Sequence, residues 1–550
     1  MTPLQTLPTD LRRRVAELLV VRASGHLADD QRRWPRWELD NASLRRLLAE
    51  GVGGVILLGA SAAELRLRTG QLQAWAGHRP LLLCADVEEG VGQRFEGASW
   101  LVPPLAVGRL HARDPQAAVE AAERYGRCTG REARAVGLNW VLGPVCDVNN
   151  NPANPVINVR AWGEDPATAG SLAAAFCRGL QAEGVLGCAK HFPGHGDTAA
   201  DSHLELPLLP HDRARLEAIE LPPFRSAIEA GVAAVMTAHL LLPALDPDRP
   251  ATLSPAVLTE LLRGELGFGG LVVTDALVME AITGRWGAGE AAVLAVEAGA
   301  DLVLMPADAD QAIDAIVAAV EAGRLGLERI EAARERRRRA LATVATPVST
   351  SVEAPLGPLS GGPESADRQL ALQLVRTGLQ RRGGRIGAEA SATGGVNLVR
   401  VDTVLVCPFL RATAPALTLP EAAGFRSCVV EGRSPSPWRV EDGEPAAPLD
   451  LERLGPGPVL LQLFVRGNPF RGSAGGGREP WAAAVAQLLA AGRLAGLAIY
   501  GSPYLWEELL PLLPPELPAG WSPGQMPLAQ AELLVALGIG GTSGPGDFTD

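Results

Sequence analysis

The chain carries 50 basic residues, of which 49 are Arg and one, Lys190, is Lys. A sequence with Arg at every other basic position keeps Lys where a compact ammonium is needed and a planar guanidinium would not fit. Histidine is as unevenly placed. All eight lie before residue 240, and His191, His195, His203 and His211 fall between 191 and 211. The last 310 residues contain neither Lys nor His, which leaves only carboxylates, hydroxyls and thiols for chemistry there. The reactive centre is therefore expected in the first half.

The densest segment runs Cys188-Ala189-Lys190-His191-Phe192-Pro193-Gly194-His195-Gly196-Asp197-Thr198-Ala199-Ala200-Asp201-Ser202-His203. It follows an apolar run and is interrupted by Pro and Gly, so it reads as a loop leaving the C-terminal end of a buried strand. His191 and His195 have the four-residue spacing of a zinc helix, but Phe192-Pro193-Gly194 excludes a helix there, and no metal is expected. A second reading makes polar groups such as His195 and Asp197 props of a tight loop. The third uses Asp201 and His203. A carboxylate two residues ahead of a histidine can bond one ring nitrogen, orient the ring and leave the other nitrogen to carry a proton. The plainer alternative for that pair is a capping Asp and a surface His.

The complementary group is Asp275, which closes the run Gly270-Leu271-Val272-Val273-Thr274-Asp275. A carboxylate on the end of a buried strand is held rigidly, as a nucleophile must be; the alternative is an N-cap for the following Ala276–Ile282. Asp86 ends a similar run, and Arg160 lies in Asn154–Pro166. Carboxylates, one ammonium and guanidinium groups together suit a polyhydroxylated ligand.

The elements that must hold these groups are legible as apolar runs near 17–21, 53–59, 80–86, 138–142, 185–190, 233–239, 270–275 and 300–306. Continuously apolar runs of this length are what strands buried on both faces look like. Helical stretches separate them. Asp165-Pro166 and Ser254-Pro255 each read as an N-cap followed by a proline at the first helical position. Eight strand and helix alternations predict an α/β fold with a (β/α)8 TIM-type barrel over residues 1–345. A Pro/Ser/Gly/Thr-rich stretch, 346–367, reads as a linker. Residues 368–550 read as a smaller layered α/β domain, with a helix near 368–380, apolar runs at 401–409, 457–465 and 496–504, and a helix from Trp481.

Apolar residues make up 47% of the chain, charged residues 20% and aromatics 4%, enough for large aliphatic cores. The net charge of −12 provides no basic footprint for nucleic acid. No apolar run reaches the 18 residues of a membrane span, and the N-terminus lacks a secretory pattern. Seven cysteines without a C-x-x-C spacing fit a reducing compartment, so the expected location is the cytoplasm.

The sequence is similar to glycoside hydrolase family 3, in particular its bacterial β-N-acetylhexosaminidase branch. The resemblance covers roughly residues 10–345 and rests on Lys190–Gly196 running on to Asp201-Ser202-His203. It also rests on Gly137-Leu138-Asn139, Gly143–Val148, Asn154-Pro155-Val156-Ile157, Met236-Thr237-Ala238-His239 and Leu253-Ser254 through Leu266-Gly267-Phe268 to Thr274-Asp275 with Met279. It implies Asp275 as nucleophile, His203 as acid/base, Asp201 as its partner, and Asp86, Arg94, Arg160, Lys190 and His191 as sugar-binding residues. Two departures stand out. Between Asp86 and Arg94 the turn Glu88-Glu89-Gly90-Val91-Gly92-Gln93 differs from the family's usual Glu-Gly-Gly-Arg-Val, and Ala276 stands where a second Asp is common.

The resemblance implies a retaining double displacement that removes terminal β-linked N-acetylglucosamine, without a cofactor, from peptidoglycan-recycling fragments. Two other readings stay open. A neutral histidine base does not repel phosphate, so the enzyme could be a phosphorylase; or the chain could be an inactive sugar-binding protein. The expected partner is a small N-acetylglucosamine-terminated carbohydrate, with no nucleic acid or membrane, and the chain is expected to be a monomer or a homodimer.

Overall fold

The computed structural model describes residues 7–77, 79–198, 206–345, 366–387, 394–401, 409–431, 438–441, 444–466 and 479–540. Asp201, His203 and the predicted linker as far as residue 365 lie outside them. Contacts divide the chain into two compact units, Met1–Asp367 and Arg368–Asp550.

Each of the eight apolar runs forms a strand: β1 (Leu19–Ser24), β2 (Gly54–Leu58), β3 (Leu82–Ala85), β4 (Trp140–Val141), β5 (Cys188–Phe192), β6 (Ala234–Thr237), β7 (Leu271–Val273) and β8 (Val303–Leu304). The ladder is not a continuous eight-stranded ring. Parallel pairing gives an arc of five strands, β4-β3-β2-β1-β8, and an arc of three, β5-β6-β7. Isolated bridges join the arcs, Trp140 to Leu186 and Val145 to Lys190 at one seam and Val273 to Leu302 at the other. The seams fall where strands are shortest. β4 runs into Gly143-Pro144, and β8 into Met305, which has φ 45°, and then Pro306; a proline has no N–H for the ladder. Both arcs nevertheless enclose one interior. Val20, Ile56, Leu82 and Trp140 from one meet Cys188, Ala234, Met236, Leu271 and Val273 from the other in a single buried cluster, each large side chain contributing about 1.5–3 kcal/mol.

The helices between the strands begin largely where the caps are written. Asp165 accepts from the N–H groups of Ala167 and Thr168 at 3.1 and 3.0 Å and starts the helix Pro166–Ala182. That helix lies backbone to backbone on the helix Pro115–Ala135, because a Cβ on Gly179 would sit 2.0 Å from the Glu123 carbonyl oxygen. After Ser254-Pro255 the expected helix is present but wound as a π-helix over Ala256–Glu265, with the Leu266 N–H on the Leu261 carbonyl. Asp275 does not cap a helix over Ala276–Ile282, since the helix there begins only at Glu280.

The second unit is an open sheet in the order β11-β10-β14-β15-β16-β9. Its strands are β9 (Gln380–Arg382), β10 (Val396–Val401), β11 (Arg426–Val430), β14 (Val459–Val465), β15 (Leu494–Gly501) and β16 (Ala519–Ser522), with a hairpin of β12 (Trp438–Glu441) and β13 (Glu444–Leu449). All pairs in the sheet are parallel except that of β9 with β16. Helices cover both faces: Trp481–Ala490 and Pro503–Leu509 pack into one core, Pro415–Ala422 and Pro527–Ala536 into the other. The run expected as a strand over 401–409 begins earlier, at Val396, and residues 402–408 lie outside those described. Its sheet carries a buried amide chain in which Tyr500 donates to Gln462 at 2.9 Å and Gln462 to Asn397 at 2.7 Å. Buried amides stay only where they are bonded in this way.

The loop after β3 is folded on itself, with the Gly92 N–H on the Ser99 carbonyl at 2.9 Å and the Leu101 N–H on that of Glu89 at 2.8 Å. It is anchored from the helix Pro115–Ala135, where Glu132 accepts from the Ser99 N–H and hydroxyl at 2.9 and 2.7 Å. Burial pushes the Glu132 carboxyl from its ordinary 4.5 up to about 7, against the opposing effect of Ser99. A carboxyl with a raised folded-state pKa stabilises fully below its unfolded value, and that contribution is lost as pH rises toward 7. Glu132→Gln, which cannot ionise, is expected to raise the melting temperature relative to the parent more at pH 8 than at pH 5. Equal shifts at the two pH values would contradict this assignment.

Candidate active site

Three strand ends deliver the charged groups. β3 ends at Ala85 and hands on to Asp86; β7 ends at Val273 and hands on to Thr274 and Asp275; β5 itself carries Lys190 and His191. The β5–β6 ladder has a bulge here: Ala189 faces Val235 and Phe192 faces Thr237, so Lys190 and His191 together oppose Met236. An extra residue in one strand breaks the alternation of side chains, and these two neighbours reach separate sets of partners.

Lys190 lies 2.7 Å from Asp86 and 2.6 Å from Glu88. Glu88 in turn takes a two-pronged bond from Arg160, whose Nε and Nη2 each donate at 2.8 Å. Burial alone would depress the Lys190 ammonium, but Asp86 and Glu88 outweigh it and raise its pKa. Burial would likewise raise Glu88, yet Arg160 and Lys190 hold it well below the usual carboxylate range. Lys190, Glu88 and Arg160 thus keep their charges although largely shut off from water. Lys190 and Glu88 are 1% and 4% exposed, whereas Asp86 is 37% exposed, so Asp86 is the member open to a ligand. Arg94 is exposed and reaches the group through the backbone, donating from Nε to the Asp86 carbonyl at 3.0 Å.

Asp147 is the second centre. Fully buried, it accepts from the His191 ring at 2.7 Å, from the His191 N–H at 3.2 Å and from the His195 N–H at 2.7 Å. Burial acts to raise its pKa, but the His191 ring and the bonds from both histidines bring it below the ordinary value. A carboxylate only accepts, so Nδ1 of His191 carries a proton and Nε2 is the ring atom left for other partners. His195 is different. Burial lowers it to about 4, its Nδ1 lies 2.7 Å from the Thr198 hydroxyl, and its ring stays neutral at pH 7.

The loop after β5 is knotted to the segment after β4. Asn154 donates to the His195 and Gly196 carbonyls at 2.8 and 2.9 Å and accepts from the N–H groups of Val156 and Ile157 at 2.8 Å. Gly196 is obligatory, since a Cβ there would sit 1.7 Å from the Val148 carbonyl oxygen. Asp197 is paired with His211 at 2.9 Å and Arg215 at 3.2 Å. Asp275 accepts from the Ala276 N–H at 2.7 Å, and its charge acts on His195 and on the Cys188 thiol, which also senses Lys190 and Asp86. Those electrostatic links put Asp275 at the same end of the strands as the Lys190 group.

With a charged set of groups at the C-terminal ends of parallel strands, the comparison with known proteins decides the family. The sequence pattern described as Glycosyl hydrolase family 3 N terminal domain matches residues 10–340, and that of the Bacterial Glycosyl hydrolase family 3 C-terminal domain matches residues 389–537. The chain belongs to glycoside hydrolase family 3. A β-N-acetylglucosaminidase of this family from Paenibacillus sp. str. FPU-7 shares its structure with a TM-score of 0.75 and 31% identity over 96% of both chains. The β-N-acetylhexosaminidase of Beutenbergia cavernae is 30% identical with a TM-score of 0.53, over 60% of this chain and 98% of its own. A β-hexosaminidase of Stenotrophomonas maltophilia (strain K279a) is 38% identical over 273 residues, 48% of this chain and 80% of its own.

Among the described residues of this glycoside hydrolase, the one group of side chains that could meet on a metal ion is Cys128, Glu132 and Asp367, but Ser99 already donates to Glu132 and Arg131 to Asp367. Two residues at the site had been given no role from the sequence, Glu88 and Asp147. The signal for Asp147 was faint: it stands five residues beyond the apolar run 138–142, after Gly143-Pro144-Val145-Cys146. Asp147→Ala leaves three N–H donors without their acceptor, each worth about 1–3 kcal/mol when buried. The variant is expected to lose at least about 3 kcal/mol in urea unfolding, and a loss under about 1 kcal/mol would show that Asp147 does not hold the loop.

Proposed function

We propose that this glycoside hydrolase is a retaining exo-β-N-acetylglucosaminidase. In the first step Asp275 Oδ attacks the anomeric carbon and the glycosidic C–O bond breaks, while His203, oriented by Asp201, gives its proton to the leaving oxygen. In the second, His203 takes a proton from water, which attacks the same carbon and releases Asp275; two inversions give net retention. A histidine already titrates near neutrality, so it needs less tuning than a second carboxyl and places no further anion beside Asp275.

The observation that supports this reading is the Lys190–Asp86 pair, held at the end of the strands where β7 hands on to Asp275. A buried, permanently charged ammonium and a half-open carboxylate can bond two neighbouring hydroxyls of one sugar ring, leaving Asp275 to approach its anomeric carbon. Arg160 holds Glu88 and through it Lys190; His191 offers Nε2, and Arg94 a guanidinium at the rim. The choice of an N-acetylated hexosamine is supported by the names of the Paenibacillus and Beutenbergia relatives, and that of N-acetylglucosamine by the Paenibacillus name. The proposal extends to peptidoglycan-derived fragments as natural substrate and to the cytoplasm as location; the second is supported by the buried free thiols of Cys84, Cys128, Cys146, Cys177 and Cys188.

The wild-type enzyme is expected to release the aryl group from an aryl N-acetyl-β-glucosaminide faster than from the matching glucoside or xyloside. In phosphate buffer the expected product is free sugar; sugar 1-phosphate would instead identify a phosphorylase. Asp275→Ala is expected to lower turnover on the order of a thousandfold or more, and peptide mapping after trapping with a fluorinated substrate analogue is expected to label Asp275. Near-normal turnover in Asp275→Ala would remove the nucleophile assignment.

A further inference from the structure

We infer that His239 is the positioning residue for the Asp275 carboxylate, acting through the backbone of residue 276; the inference rests on the reading of Asp275 as nucleophile. His239 follows β6 by two residues and is fully buried. Its Nε2 lies 3.1 Å from the carbonyl oxygen of Ala276. A carbonyl only accepts, so Nε2 carries a proton, and Nδ1 lies 2.8 Å from Thr252 Oγ1. The Thr252 oxygen also lies 2.8 Å from the Thr237 hydroxyl and 2.9 Å from the Ala238 carbonyl. Ring orientation is therefore set by β6 and the Thr252 turn, with a polar partner at each nitrogen. His239 is not an acid or base in the reaction.

Residue 276 is held on both sides. Its N–H donates to Asp275 Oδ1 at 2.7 Å, and its carbonyl accepts from His239 and from the Met279 N–H at 3.1 Å. The flanking chain is tied to β8. Leu277 and Val278 donate to the Leu304 and Met305 carbonyls at 3.0 Å, and the Leu304 N–H donates to the Thr274 hydroxyl at 2.9 Å. β8 thus fixes the chain before and after the carboxylate, while His239 supplies the hold from the β6 side on the residue that the carboxylate itself grips. Rotation of that residue would swing Oδ1 with it.

A misplacement of about 1 Å at a reacting atom costs about a hundredfold in rate. His239→Ala is therefore expected to lower kcat on an aryl N-acetyl-β-glucosaminide by about a hundredfold with KM within about threefold of the parent. His239→Gln keeps an N–H in reach of the Ala276 carbonyl and is expected to restore kcat to within about tenfold of the parent. Thr252→Val, which frees the ring, is expected to cost about tenfold and provides the measurement should His239→Ala not fold. Wild-type kcat in His239→Ala or in Thr252→Val overturns the inference. So does a loss in His239→Gln as large as that in His239→Ala, which would reduce the residue to scaffolding. Asp275→Ala is run alongside: if that variant keeps its turnover the nucleophile reading fails, whereas an inert Asp275→Ala beside a fully active His239→Ala removes the positioning role alone.

Discussion

Lys190 brings a full positive charge into a position with almost no contact with water, and the C-terminal end of the barrel is arranged around keeping it there. Moving an ammonium out of water costs several kcal/mol unless opposite charges meet it with good geometry. Asp86 and Glu88 meet it, and Glu88 would then carry unbalanced charge of its own were Arg160 not bonded to both its oxygens. The balance fastens β3, β5 and the loop bearing Arg160 to one another. It also leaves Asp86 as the half-exposed member of the four.

Asp147 does for the loop what Lys190 does for the strand ends. Three N–H groups converge on one buried carboxylate, Asn154 ties the next turn, and Gly196 permits backbone to meet backbone at Val148. Hydrogen bonds made by charged acceptors in low dielectric are strong, and the loss of one member leaves the others without partners. The histidine-rich loop therefore divides by role. His191 is oriented with Nε2 available, His195 stays neutral and structural, and His211 is spent on Asp197. The second unit relies on a quite different device, two apolar faces about an open sheet with a chain of side-chain amides satisfied inside it.

Much of this was legible beforehand. The eight strands of the first unit announced themselves as apolar runs because a strand covered on both faces has no reason to alternate. Asp165-Pro166 gave a helix start because both the cap oxygen and the proline's fixed φ act locally. The single Lys among 49 Arg drew notice as a sequence anomaly, and it is the buried ammonium that Asp86 and Glu88 meet. Asp201 and His203 lie outside the described residues, so their part stays with the proposed mechanism. What was misread involved distant partners. Ser254-Pro255 signals a helix start but not that the turns would be π-wound. The cap that was the alternative reading of Asp275 is not made, since Leu277 and Val278 bond to the β8 segment before a helix begins at Glu280. Glu88 has no local signal for its role, because its two cationic partners are 72 and 102 positions away.

The sequence by itself determined the kinds of element, their order and the family, since periodicity, caps and residue type are properties of neighbouring positions. Tertiary structure alone decided which carboxylates pair with Lys190, that a bulge sends Lys190 and His191 to separate partners, and that His239 grips the residue beside Asp275. It also decided that the barrel's hydrogen bonding parts at two seams. Each of these depends on which strand lies alongside which, and on a charge or N–H finding its counterpart across that contact, and no spacing along the chain records such a distance.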